Sequence, residues 1–135
     1  MPNVLSNNAS RKWVNWLFED NQVVELRYQA IGPNRRLWRS ELFDSSDALI
    51  QRANQLEGWN AYTSLNRPIS NTSKQRFLSD QDISAITRFV VDIDPVRSER
   101  GTSTDENREE AQFVALAIVD HLMAKGWQMP AIGQS

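Results

Sequence analysis

Between Val23 and Ile31 apolar and polar residues alternate without a break. Val24, Leu26, Tyr28 and Ala30 fall on one side, and Glu25, Arg27 and Gln29 on the other. A period of two is the signature of a strand with one face buried and the other wet. Gly32-Pro33-Asn34 follows as a turn signal. Leu37 to Phe43 then reads as a second strand, so the pair predicts an antiparallel hairpin. Arg35, Arg36 and Arg39 place positive charge near its tip.

The flanking segments carry the other period. Ser10 can cap a short helix over Arg11–Asp20, where Trp13, Trp16 and Leu17 share a face. Asp44-Ser45-Ser46-Asp47 is an N-cap cluster; Leu49, Ala53 and Leu56 form the stripe behind it, and Gly58 supplies a stop. Trp59 to Leu65 reads as a third strand ended by Asn66-Arg67-Pro68. Residues 69–80 are polar and read as a surface loop, with Ser79 capping one helical turn. Arg88 to Asp94, RFVVDID, is apolar on both faces and predicts a central, doubly covered strand stopped by Pro95. Ser103 and Glu106 match a capping box for a last helix with Phe113, Val114, Ala117, Ile118 and Leu122 on its buried face. Lys125-Gly126 closes that helix, and Met129 to Gly133 opens another strand. The expected fold is mixed α/β (α+β), in the order helix, hairpin, helix, strand, strand, helix, incipient strand. With 135 residues the chain makes one domain, or two small units. Because a strand opens so near Ser135, residues 1–135 are expected to be part of a larger domain.

Composition narrows the chemistry. Fifteen basic and 17 acidic residues leave a net charge of −2, which excludes nucleic-acid binding by bulk charge alone. Cysteine is absent and His121 is the one histidine. That removes disulfides, cysteine zinc sites, thiol nucleophiles and His-pair metal sites within one chain. Met1 to Ser10 lacks the apolar core of a secretory leader, and the longest apolar run, Phe113 to Val119, falls far below the roughly 18 residues of a membrane span. The expectation is a cytoplasmic protein without a membrane partner.

Asp92-Ile93-Asp94 is the strongest chemical candidate. On a strand, residues i and i+2 face the same side, with Cα atoms about 6.5–7 Å apart. Two carboxylates so placed repel each other unless a cation sits between them. Mg²⁺ suits such oxygen donors while keeping waters and substrate phosphates, and two such ions can clamp a phosphoryl or nucleotidyl transfer. The plainer reading is a strand end, with Asp94 forming a turn before Pro95. Arg88, Arg97 and Arg100 flank the pair, either to neutralise a triphosphate or as solvated charge. Arg35, Arg36 and Arg39 contact nucleic-acid phosphates, or serve as solvated hairpin charge. His121 reads as a core-edge histidine, and the five tryptophans read mainly as core. No glycine-rich phosphate cradle occurs.

Three stretches together carry a family resemblance: VVELRYQAIGPNRRLWRSELFDS, ANQLEGWNAYTSLNRP and RFVVDIDPVR. In this order they resemble the N-terminal part of the archaeo-eukaryotic primase (primase-polymerase) superfamily, in its phage and plasmid replication group. The likeness spans most of residues 11–135. It implies a nucleotidyltransferase that makes or extends primers on a single-stranded template from nucleoside triphosphates. Asp92 and Asp94 would then be the catalytic acids that bind Mg²⁺ or Mn²⁺. Ser135 matches the start of the second motif, whose residues contact the incoming nucleotide. The Gly-x-Gly-x-His that follows in the family, and the third motif's acid, do not occur in these residues. The chain alone is therefore expected to be inactive. A helicase domain downstream is a further partner the resemblance implies. Two other classes stay open: a non-catalytic module that binds nucleic acid or a replication partner, and a metal-dependent nuclease using the same acids.

Overall fold

The computed structural model describes residues 8–19, 23–69, 77–97 and 101–133. It divides into two compact units, one reaching to Phe89 and the other starting at Val90. The fold class is the expected mixture of helix and antiparallel sheet.

The first unit is built on the predicted hairpin. Strand β1 (Val24–Ala30) pairs antiparallel with β2 (Trp38–Phe43), with Val24 opposite Phe43 and Gln29 opposite Trp38. A 3₁₀ turn over Gly32–Asn34 joins them; Gly32 takes a φ of 82°, which favours a residue without Cβ. Strand β3 (Trp59–Thr63) pairs with the other edge of β1, with Ala30 opposite Trp59 and Leu26 opposite Thr63. The sheet order is β2-β1-β3. β2 and β3 thus run parallel to each other with β1 between them, and helix α2 (Ser46–Ala53) makes the crossover.

Helix α1 (Asn8–Leu17) and α2 cover one sheet face. The core joins Val14 and Leu17 of α1, Val24, Leu26 and Tyr28 of β1, and Leu49 and Ile50 of α2. Leu56, in the turn after α2, completes it. Ser45 caps α2, its hydroxyl accepting from the Ala48 amide at 3.4 Å. The helix stops at Ala53 rather than at Gly58; Gly58, with φ 76°, instead turns the chain into β3. Ser79 caps the predicted single turn, a 3₁₀ helix over Asp80–Asp82.

A polar network ties α2 to the sheet across the core edge. Tyr28 donates its hydroxyl proton to Glu41 at 2.8 Å, and the Arg52 guanidinium reaches Glu41 at 2.6 Å and the Tyr28 oxygen at 3.0 Å. Burial raises the Glu41 carboxyl, but the hydrogen bonds from Arg52 and Tyr28 and the charge of Arg52 outweigh it, so the group sits below the ordinary glutamate value. The hydrogen bond to Glu41 likewise raises Arg52, and burial followed by the Glu41 bond raises Tyr28.

In the second unit helix α3 runs from Asp105 to Ala124. Its cap is Thr104 with Asn107, one residue later than the Ser103–Glu106 box read from sequence: the Thr104 hydroxyl accepts the Asn107 amide at 3.1 Å. Gly126, with φ 85°, follows the last turn as expected. The predicted buried face of α3 is not buried. Val119 is its one buried residue, Ile118 and Leu122 are half-buried, and Phe113 is 75 % exposed. His121 is exposed rather than at a core edge, and 127–133 form no strand. Among the described residues no helix is long and apolar enough to cross a membrane.

Leu26 is almost fully buried between the two helices and the sheet. Leu26→Ala is expected to destabilise the first unit by about 2–5 kcal/mol, read from the urea midpoint. The Glu41 contribution has a definite sign. A carboxyl held low in the folded state stabilises above the unfolded value of 4.5 and loses that contribution as pH falls through its lower folded value. Unfolding midpoints of Glu41→Gln should therefore fall less steeply than the native chain's over that acid range.

Candidate functional site

The acid pair does not lie on a strand. Residues 85–97 form neither helix nor strand and pair with no strand among the described residues. Phe89, Val90 and Val91 are exposed, Val90 by 70 %. The expectation of a central, doubly covered strand is corrected on this point. An apolar segment buries both faces only where strands pair with it and layers cover it, and no described strand pairs with this one. The alternation itself persists: Asp92 and Asp94 are exposed, while Ile93 and Pro95 are half-buried. Asp94 lies 3.7 Å from the Arg97 guanidinium, both side chains being well exposed. Such a pair is worth little in water and leaves both carboxylates accessible.

The root of the acid segment is fixed within the first unit. Asn66, from the Asn-Arg-Pro step, accepts from the amides of Thr87 (3.0 Å) and Arg88 (2.9 Å) through its side-chain oxygen. Its side-chain nitrogen donates to the Arg88 carbonyl at 3.0 Å. Arg88 in turn donates to the carbonyls of Trp16 (2.9 Å) and Leu17 (3.2 Å), with its guanidinium 4.2 Å from the Trp16 ring centroid. Those carbonyls belong to the last turn of α1, which lacks intrahelical donors and carries partial negative charge. Arg88 is thus engaged with α1 and Trp16 rather than standing free in solvent. It closes the C-terminus of α1 and holds the chain leading to Asp92.

The sheet face away from the helices carries a second constellation. Glu25 was read as solvent-facing, yet it is only 3 % exposed. Its carboxylate accepts from Ser40 Oγ at 2.8 Å and the Leu78 amide at 2.7 Å, and pairs with Arg27 at 2.8 Å. Arg27 also donates to the Leu78 carbonyl at 2.7 Å and lies 5.2 Å from the Phe77 ring. Its buried Nε has no acceptor among the described residues. Phe77 and Leu78 therefore cover this end of the face, while residues 70–76 of the expected surface loop lie outside the described residues. Glu25 and Arg27 share a face at i and i+2, so their pairing was legible; the covering segment was not.

At the other end of the face Trp38 and Tyr62 are exposed, with ring centroids 5.9 Å apart. Core packing was the expectation for the tryptophans. Trp16 and Trp59 border the core, whereas Trp13, Trp38 and Trp127 are exposed. Arg35 and Arg36 line a hollow of about 690 Å³ with Gly32 and Pro33 at the hairpin tip. Arg39 sits on β2, its guanidinium 3.3 Å from the Trp38 carbonyl. All three arginines are exposed. Ser135 and Arg100 lie outside the described residues.

The oxygen donors of Asp92 and Asp94 suit a hard divalent cation that keeps its waters. Among the described residues no third Asp, Glu or His joins them in a ligand cluster. The chain matches no family model, no characterised protein and no solved structure.

Asn66→Ala leaves the Thr87 and Arg88 amides without their acceptor. It is expected to cost about 1–2 kcal/mol and to speed hydrogen exchange at those two amides above the change seen across β1.

Proposed function

We propose that this chain is the N-terminal segment of a primase-polymerase-type nucleotidyltransferase acting on a single-stranded template. Asp92 and Asp94 are its metal-binding carboxylates. The observation that carries the reading is the exposure of both acids on one segment whose start is held by Asn66 and Arg88. The order of the three resembling stretches supports it as well.

Asp92 and Asp94 would hold Mg²⁺ or Mn²⁺ through carboxylate oxygens. When bound, the ion supplies positive charge for triphosphate oxygens. Ile93 and Pro95 are half-buried while both carboxylates stay exposed. Arg97 offsets part of the negative charge beside Asp94. Arg35, Arg36 and Arg39 give the hairpin tip a positive surface for template phosphates. Residues 1–135 hold the acid pair without the Gly-x-Gly-x-His motif, so catalysis needs groups from outside them.

Mn²⁺ titration read by NMR line broadening tests the acid pair. Broadening is expected to centre on residues 92–94 and to vanish in Asp92→Ala and in Asp94→Ala. On a labelled primer-template with Mn²⁺ and nucleoside triphosphates, the 135-residue chain is expected to add no nucleotide. Metal-dependent degradation of the label would overturn the reading in favour of a nuclease. Broadening elsewhere, unchanged by either substitution, would remove the acids from the site.

A further inference from the structure

The outer face of the sheet has a closed end and an open end. At the closed end Glu25 and Arg27 are engaged by Ser40, Leu78 and Phe77. At the open end Gln29 lies between Trp38 on β2 and Asn60 on β3, and Arg27 lies opposite Tyr62. Directly opposed residues of an antiparallel sheet share a face. Trp38 and Tyr62 therefore reach from the two edge strands over β1, where their rings meet at 5.9 Å with 35° between planes. Trp38 is 38 % and Tyr62 49 % exposed. The pair is a preformed aromatic shelf, held in place by strand pairing and facing outward.

The charge differs between the two sides of the shelf, with Arg35 and Arg36 toward the tip and Asp80 in a cavity shared with Tyr62. The acid of this face, Glu25, is buried and bonded. Gln29 donates through its side-chain nitrogen to the Arg35 carbonyl and so ties the basic tip to the shelf. Arg35 and Arg36 stand three and two residues before Trp38 and line the open hollow beside the turn. Asp80 is exposed, but it lies with Leu78 and Ser79 at the closed end, along a cavity of about 270 Å³ that Tyr62 also borders.

We propose that this face is a stacking platform for single-stranded nucleic acid. The rings of Trp38 and Tyr62 take unstacked bases, and Arg35 and Arg36 take phosphates of the same strand. Bases in a duplex have their faces covered by neighbouring pairs, so flat rings on an open sheet select single strands. A peptide without acidic side chains would gain from the apolar rings but not from the cationic hollow beside them. The inference rests on the template reading given above, yet needs neither the metal nor catalysis.

The test is fluorescence anisotropy of the 135-residue chain with a labelled oligothymidylate, its duplex, and an abasic strand of equal length and charge. The thymidylate strand is expected to bind more tightly than either competitor. Trp38→Ala or Tyr62→Ala should each weaken it by roughly 5- to 150-fold, with Trp38→Phe restoring most of the loss. Circular dichroism checks that each variant folds, and the abasic comparison on the native chain needs no variant. Equal binding of thymidylate and abasic strands, or no binding of either, overturns the proposal. Absence of Mn²⁺ broadening at residues 92–94 of the native chain, with base selectivity intact, would sink the metal reading and leave this platform standing.

Discussion

The first unit depends on β1 being paired on both edges. One edge takes β2 through a tight turn, and the other takes β3 through a helical crossover. Placed centrally, β1 can present Val24, Leu26 and Tyr28 to α1 and α2 without leaving backbone donors or acceptors exposed beside them. Its other face becomes a shared surface for side chains from both neighbouring strands. Core and candidate surface are two sides of one seven-residue strand.

Polar side chains then fix what hydrophobic burial leaves loose. Apolar contact is non-directional and would tolerate several placements of a short helix. The Tyr28–Glu41–Arg52 network admits one, because three side chains from β1, β2 and α2 must meet within hydrogen-bond distance. Glu25 does the same on the far face. A buried carboxylate is costly unless several donors surround it, and the Leu78 amide is one of those donors. The segment around Leu78 is therefore held by the need to satisfy a charge, not only by its own apolar side chain.

The acid pair stands on a different footing. Asn66 and Arg88 define where the segment begins, using backbone groups of α1 and of the segment itself. Beyond Val91 the carboxylates are exposed, and their accessibility is what the nucleotidyltransferase reading uses. On the first unit the aromatic shelf and basic tip supply chemistry of another kind, for bases and phosphates instead of cations. The two sets of residues make separable contributions, which is why they can be tested with different ligands.

The sequence alone determined the elements whose signals are local. The alternation over Val24–Ala30, the Gly-Pro-Asn turn, the Ser45 cap, the single turn after Ser79 and the long last helix each depend on residues within a few positions. Periodicity and capping are short-range physics, so they survive without knowledge of the rest of the chain. The candidate acids were legible for the same reason, as two carboxylates spaced by one residue. Tertiary structure decided whatever needed a distant partner. An apolar run such as Phe89–Val91 has the composition of a strand, but becomes one only where edges are available to pair with it. Glu25 falls on the polar side of the alternation but is covered by Leu78, and Arg88 bonds two carbonyls of α1 that lie over 70 residues away in sequence. Trp38 and Tyr62, 24 residues apart, became a shelf only because β2 and β3 flank the same strand. Pairing and burial are relations between segments far apart in sequence, and no local pattern contains them.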